Sequence, residues 1–175
     1  MRNVIVTLLA LTAWLSAASL SVVEGKVHAH TEVFGDTSID PETTAITSYL
    51  TMPGSLESIT GQIVVSMSAL QSENKKRDEN MHESMESEKF PNAVYVFDTI
   101  TKSDNGYKID GQLTLHGVTK PLSLQAKMNL DGTTVKMSGT STLKMTDFGI
   151  EPPVLLFLTV RDQVDIDFDV TFTAQ

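Results

Sequence analysis

The final part of the chain alternates between apolar and polar side chains over nine residues. Residues 164–172 read VDIDFDVTF, with an apolar side chain at every second position and Asp or Thr between them. Successive side chains of a β-strand point to opposite faces of the sheet, whereas a helix would mix the two sets on one surface. This segment is therefore predicted to be a strand with one apolar and one polar face.

Similar segments recur along the chain and predict a protein made mainly of strands. Turn-forming residues separate them, and the Asn105-Gly106 and Asp131-Gly132 pairs are typical of tight antiparallel hairpins. The predicted strands span residues 26–34, 43–51, 61–70, 93–102, 107–115, 122–130, 133–145 and 164–172.

Two connections have a different composition. The connection from Gln71 to Lys89 is highly charged and rich in helix formers, and Met81 and Met85 stand at helical i, i+4 spacing. It is therefore predicted to be a loop with a short helix. Residues 146–160 contain a Pro-Pro pair followed by VLLFL, which fits a buried loop, a short helix, or both.

The predicted elements define an all-β, antiparallel fold of about eight strands. Strands joined by short turns form either a sandwich or a closed barrel. Closure removes exposed sheet edges, and an eight-stranded barrel can hold one small ligand. Alternation separates inward from outward positions, but it does not distinguish a filled interior from an open one. On periodicity alone, a packed core is the favoured interpretation.

Length and composition narrow the possible functions. The 175 residues fit one domain, and the absence of Cys excludes disulfides, thiol nucleophiles and Cys-containing zinc sites. Thirteen basic and 22 acidic residues give a net charge of −9, which opposes binding to nucleic acid or to an anionic membrane.

The first residues are typical of a secretory signal peptide. Arg2 precedes an apolar run at residues 4–15 and small residues at positions 16–18. We predict a signal peptide at residues 1–18, a single domain at residues 19–175, periplasmic localisation, and no stable membrane insertion after signal removal. The alternative is a membrane anchor, because weakly apolar sequence continues to Val23.

Few residues suggest metal or cofactor chemistry. His28 and His30 would share one strand face, which suits a metal, but no third ligand is evident and no metal site is predicted. Asp165, Asp167 and Asp169 are predicted to form the solvated outer face of the last strand. The chain has no Gly-rich phosphate loop or nucleophile elbow, so neither a cofactor nor an enzymatic activity is expected.

Several short segments, taken in order, resemble one family. They are Arg77-Asp78 followed by Met81, MESEKFPNA at residues 85–93, GQLTLHGVTKPLSL at 111–124, and TDFGI at 146–150. Together they resemble successive signatures of the YceI-like family. The chain departs from the family pattern at Asn80, where members often carry His.

The resemblance implies a fold and a ligand. Members of the family are secreted, lipocalin-like antiparallel β-barrels associated with polyisoprenoid or related lipids. It thus implies a periplasmic carrier that holds an isoprenoid-type or fatty-acyl lipid inside the barrel. The implied ligand contacts of the barrel interior are Ile63, Val65, Met67, Tyr95, Phe97, Leu113, Leu115, Leu124, Met128, Met137, Ile166 and Phe168. The candidate head-group residues at the mouth are Arg77, His116 and Lys120.

Two alternatives remain at the level of the sequence. One is a periplasmic interaction module with a packed barrel, in which residues 152–160 form an exposed apolar patch for a partner protein. The other is a barrel hydrolase or isomerase that uses His116 as a base. The enzymatic alternative is weak because no acid or nucleophile is assigned beside His116.

Overall fold

The computed structural model describes residues 17–33, 37–155 and 158–175. Apart from its last two residues, the predicted signal peptide lies outside these ranges. In the described part of the chain, no helix combines the length and apolar character needed to cross a bilayer.

Strands dominate the structure. The strands are β1 (Ala18–Val33), β2 (Thr37–Ile39), β3 (Glu42–Thr43), β4 (Ile46–Met52), β5 (Thr60–Ser66), β6 (Asn92–Ser103), β7 (Gly106–Leu115), β8 (Val118–Asp131), β9 (Thr134–Lys144), β10 (Val154–Leu155), β11 (Leu158–Thr159) and β12 (Gln163–Ala174). The α-helix α1 spans Lys75–Ser84, and two 3-10 helices span Leu56–Ser58 and Met145–Phe148.

Eight of these strands form a closed antiparallel barrel. The order around the barrel is β1-β4-β5-β6-β7-β8-β9-β12, and β12 pairs with β1 to close the ring. The closing seam runs from the Leu20–Ala174 pair to the His30–Asp165 pair. The predicted all-β, lipocalin-like barrel of about eight strands is therefore confirmed, with its short helix in the connection from Gln71 to Lys89.

The predicted hairpins are confirmed, but the predicted start of the first strand is wrong. The β6–β7 turn lies at Asn105, and the β8–β9 turn contains Gly132, whose φ of +60° suits glycine. Strand β1 begins at Ala18, eight residues before the predicted start. A register shift between Val22 and Glu24 explains the difference, because a bulge interrupts the period-two alternation.

The last connection is more ordered than predicted. Residues 146–160 contain part of a 3-10 helix and the small β10–β11 hairpin, which forms a separate two-stranded sheet. Phe148, Ile150 and Val160 are buried, whereas Val154 and Leu158 are exposed. The connection thus presents one face to the barrel and one to solvent.

One part of the barrel interior is a packed core. Leu20, Leu50, Val135 and Phe172 have almost no exposed surface. Tyr95 lies in the same cluster, and its hydroxyl donates to the carbonyl oxygens of Ile109 and Leu122 at 3.1 and 3.0 Å. Burial raises the pKa of the Tyr95 phenol above its usual range, so the group remains a neutral donor.

Candidate ligand cavity

The interior opens into an apolar cavity at the end of the barrel where β1, β7 and β9 finish and β12 begins. Its volume is about 160 Å³, and helix α1 lies against it. The lining residues are Val27, Ala29, Thr31, Ile39, Pro41, Met67, Leu70, Arg77, Asn80, Met81, Ser84, Met85, Leu115, Leu143, Met145, Ile150, Pro153, Val160, Val164 and Ile166. The barrel therefore combines a packed core with an open end.

Methionine is unusually frequent in the cavity wall. Four of the eight methionines in the chain line it: Met67, Met81, Met85 and Met145. An unbranched thioether side chain adapts to irregular shapes and fills gaps in apolar surfaces. The wall can therefore adjust to ligands of different outline.

Helix α1 presents one face to the cavity because of its residue spacing. Arg77, Asn80, Met81 and Ser84 stand at helical i, i+3, i+4 and i+7 positions and all line it. The side chain of Asn74 caps the helix by accepting a hydrogen bond from the Arg77 backbone N–H at 3.1 Å. None of the helix residues is fully buried.

Arg77 is the one charged side chain in the cavity lining of the described residues. Its Nη1 donates to the backbone carbonyl of Ser38 at 2.9 Å, which ties helix α1 to strand β2. The cavity surface is formed by apolar atoms, so Arg77 lines it through its methylene stem while its guanidinium bonds to Ser38.

His116 joins three of the signature segments beside the cavity. One ring nitrogen, Nδ1, lies 3.1 Å from the Phe148 carbonyl oxygen, and Nε2 lies 3.1 Å from Glu86 Oε2. The Phe90 ring meets the imidazole edge-on at 4.7 Å. Glu86 and Phe90 belong to MESEKFPNA and Phe148 to TDFGI, so the signature segments converge in space.

Both ring nitrogens of His116 have a partner. The Phe148 carbonyl oxygen lies beside Nδ1 and a Glu86 carboxyl oxygen lies beside Nε2. Each ring nitrogen is therefore held by a protein group instead of facing the cavity.

The signature segments also supply cavity wall. Met85, Leu115 and Ile150 line the cavity. Met85 precedes Glu86, Leu115 precedes His116, and Ile150 is two residues after Phe148. This positioning role of His116 was missed from the sequence. One indication of this role was present in the sequence, because each of the three signature segments carries an apolar residue close to a polar or turn residue.

The structure divides the residues predicted to contact ligand. Met67, Leu115 and Ile166 line the cavity, together with Arg77. Four others lie in the packed core: Tyr95, Phe97, Leu113 and Met137. The remaining five are partly buried against that core: Ile63, Val65, Leu124, Met128 and Phe168. His116 lies beside the cavity, and Lys120 is exposed on β8 opposite Leu113.

The outer face of the β1–β12 seam pairs basic with acidic residues. Across the strands, Lys26, His28 and His30 stand opposite the three aspartates of the last strand. Both histidines also approach Asp40, with His30 Nδ1 at 2.5 Å from its Oδ1 and His28 Nε2 at 3.6 Å. Within the described ranges, no group of three or more His, Asp or Glu side chains is placed to hold a metal ion.

A second, more open depression of about 500 Å³ lies across strands β1, β7, β8, β9 and β12. Its lining combines the rings of Tyr107 and Phe168 with charged side chains such as Lys26, Lys127 and Asp167. Charged and hydroxyl groups suit water better than a hydrocarbon chain. The apolar cavity is therefore the stronger candidate site.

A closed eight-stranded antiparallel barrel with an apolar cavity at one end has the architecture of lipocalin-like binding proteins. Residues 14–172 match the YceI-like domain family, so the chain belongs to that family.

Relatives in sequence match part of their own length. A UPF0312 protein of Pseudomonas syringae pv. tomato is 39% identical over 92 residues, covering 48% of this chain and 44% of the relative. A UPF0312 protein of Yersinia enterocolitica is 28% identical over 96 residues, covering 50% of each. The chain thus spans about half the length of the curated relatives it matches.

Solved structures share the fold at lower identity. BcnA of Burkholderia cenocepacia aligns with a TM-score of 0.73 and 17% identity, covering 84% of this chain and 95% of that protein. A polyisoprenoid-binding domain of Saccharophagus degradans, implicated in plant cell wall breakdown, aligns with a TM-score of 0.65 and 15% identity, covering 90% and 98%.

Proposed function

We propose that the protein is a non-enzymatic carrier that binds the apolar chain of an amphiphilic lipid in the cavity under helix α1. The observation that carries the proposal is an apolar, methionine-rich cavity whose one charged lining residue in the described chain is Arg77. The shared fold of the polyisoprenoid-binding domain supports an isoprenoid or fatty-acyl ligand.

Burial of the hydrocarbon chain would drive binding. Each methylene group moved from water into an apolar site contributes about 0.8 kcal/mol, less the cost of ordering the chain. A head group at the mouth of the cavity would lie near the Arg77 guanidinium, which carries four donors besides the one bonded to Ser38. The ligand would therefore lie with its chain inward and its head beside the helix.

The described part of the cavity lining supports binding better than catalysis. Its polar side chains are Thr31, Arg77, Asn80 and Ser84, which lack an acid–base pair. Both nitrogens of His116 are engaged by Glu86 and Phe148. These contacts support a binding role over the hydrolase or isomerase alternative.

We further propose that the protein works in the periplasm. The basic, apolar and small-residue order of residues 1–18 supports export. Fractionation of the native cells, with mass determination of the N-terminus, tests this proposal. A processed protein in the periplasmic fraction supports it, and an unprocessed protein in the cytoplasm contradicts it.

The lipid-binding proposal is tested by native mass spectrometry of the purified protein, followed by titration with a fluorescent fatty acid. Ala29→Phe fills the cavity with a phenyl ring and is expected to abolish uptake. Val23→Phe is the matched control, because Val23 lies on the same strand but is 63% exposed. Equal uptake by both variants, or no uptake by the unmodified protein, contradicts the proposal.

A second candidate function rests on exposed apolar side chains of the β10–β11 hairpin. Val154 is 64% and Leu158 45% exposed, beside Pro153 and Val160 of the cavity wall. This surface would suit a protein partner. A photo-crosslinker at Val154 tests it in native cells: a single crosslinked protein that disappears with Leu158→Asp supports a partner, and absence of any product contradicts it.

A further inference from the structure

We propose that helix α1 sets the length of the chain that the cavity accepts. In the arrangement observed, the cavity takes one short apolar chain, and a longer chain enters only when α1 moves away from the barrel. The inference rests on the proposed lipid-binding function and concerns the same cavity.

The volume of the cavity limits its contents. It measures about 160 Å³, whereas pockets for drug-sized ligands occupy roughly 300–1,000 Å³. An engineered apolar cavity of about 150 Å³ holds one benzene molecule, which corresponds to roughly six carbon atoms. A chain of roughly six to eight carbons therefore fits, and a chain of sixteen or more requires additional space.

The barrel and the helix differ in how readily they could provide that space. The barrel side of the cavity is formed by strands paired on both edges, including β12 with its Val164 and Ile166. The helix side is formed by Arg77, Met81 and neighbouring residues, none of which is fully buried. Displacing the helix therefore disrupts less packed structure than parting the strands.

The hydrogen bonds of α1 also indicate that the helix can be displaced more easily than the strands. In the described chain, the bond from Arg77 to the Ser38 carbonyl is the single side-chain hydrogen bond that links α1 to a residue outside the 71–90 segment. The other side-chain bonds of the helix are local, such as that between Ser72 and Asp78. A helix attached in this way can move without breaking a network.

Hydrogen bonds to the barrel anchor the chain before and after the helix. Before it, Gln71 pairs with Glu42 through two backbone hydrogen bonds of 2.8 and 3.0 Å. After it, Glu86 bonds to His116. The segment between these points carries Met81 and Met85, whose flexible side chains form the adjustable part of the wall. Movement of this segment would enlarge the cavity while both anchors hold.

A series of saturated fatty acids from six to sixteen carbons, titrated calorimetrically below their micelle concentrations, tests the inference. While a chain grows inside the cavity, each added pair of carbons should raise the affinity roughly tenfold. Beyond about eight carbons, the gain in the unmodified protein should fall below threefold per pair. In the double variant Met81→Ala/Met85→Ala, the chain length at which the gain in affinity falls should increase by at least two carbons.

Met128→Ala is the matched control, because Met128 packs against the core and does not line the cavity. In Met128→Ala, the gain in affinity should fall at the same chain length as in the unmodified protein. An uninterrupted tenfold gain up to sixteen carbons in the unmodified protein overturns the inference while leaving the lipid-binding proposal intact. Failure of every chain to bind overturns both.

Hydrogen exchange gives a second readout that needs no variant. With an eight-carbon acid bound, the amides of residues 75–84 should exchange at least twofold more slowly than in the free protein. With the sixteen-carbon acid bound, they should exchange faster than in the free protein, because the helix is displaced. Equal protection by both acids overturns the inference.

Discussion

His116 and Glu86 are thirty residues apart in the sequence, yet His116 Nε2 and Glu86 Oε2 lie 3.1 Å apart. Both residues adopt positive φ angles, +51° for His116 and +45° for Glu86, which residues other than glycine rarely adopt. The contact therefore holds together two strained turns, one after helix α1 and one after strand β7. The sequence neighbours of the two residues, Met85 and Leu115, both line the cavity.

His116→Gln is expected to destabilise the protein by about 1–3 kcal/mol, because it leaves the Phe148 carbonyl or the Glu86 carboxylate without a donor. Lipid affinity should fall moderately, because the cavity wall loosens while its lining residues remain. Urea unfolding and lipid titration measure the two effects. His28→Gln serves as the control at a more exposed histidine, and equal stability of the two variants would contradict the role of His116.

The sequence predicted the barrel better than it predicted the cavity. Alternation, as at Ile166 and Phe168, separates inward from outward positions, and the Asn105-Gly106 pair marks a turn through local backbone preference. Neither signal reports the distance between facing walls. Tyr95 fills the interior at one level whereas Ala29 leaves space at another, and this difference depends on long-range register.

The helix side of the cavity could also be predicted only in part from the sequence. A short helix was predicted to carry both Met81 and Met85, but α1 ends at Ser84 and Met85 follows it as the C-terminal capping residue. Both side chains nevertheless line the cavity. Their placement in the same cavity lining as Leu115 and Ile150 depends on the path of the polar 71–90 segment. That path is determined by single contacts such as Arg77 to Ser38, which have no signature in local sequence.

Gly111→Ala is expected to destabilise the barrel by about 1–3 kcal/mol through overpacking. A Cβ at Gly111 would lie 2.6 Å from Tyr95 Cζ and would also clash with the Val96 carbonyl oxygen. Gly54→Ala is the matched control, because its Cβ would meet only Ser58 Oγ at 3.9 Å. Thermal unfolding of both variants measures the effect, and an unchanged Tm for Gly111→Ala would contradict the packing around Tyr95.

The stability of the protein at acidic pH should depend on His30. Hydrogen bonds to Asp40 and then Glu32 raise the pKa of His30 above its usual value near 6.5. A raised pKa means that the folded state binds the proton more tightly than the unfolded state does. The resulting stabilisation is fully present below about pH 6.5 and is lost as the pH rises through the folded-state pKa.

His30→Gln should therefore reduce the free energy of unfolding more at pH 5.5 than at pH 8.5. Urea unfolding of the variant and of the unmodified protein at both pH values measures the difference. Asp40→Asn should reduce the same pH dependence, because it removes the partner that contributes most to the shift. An equal effect of His30→Gln at the two pH values would contradict the proposed linkage.

Arg77 provides the sharpest test of where the ligand head group lies. Its guanidinium can hold a carboxylate with two parallel hydrogen bonds, whereas an alcohol accepts from a single donor. Arg77→Gln should therefore weaken binding of octanoic acid roughly tenfold or more, in line with a charge-assisted hydrogen bond, and weaken binding of octanol less. Lys120→Gln is the control, because Lys120 is exposed and lies outside the cavity lining. Equal losses for the acid and the alcohol would mean that Arg77 acts only through the position of helix α1, and a loss with Lys120→Gln would place the head group on β8.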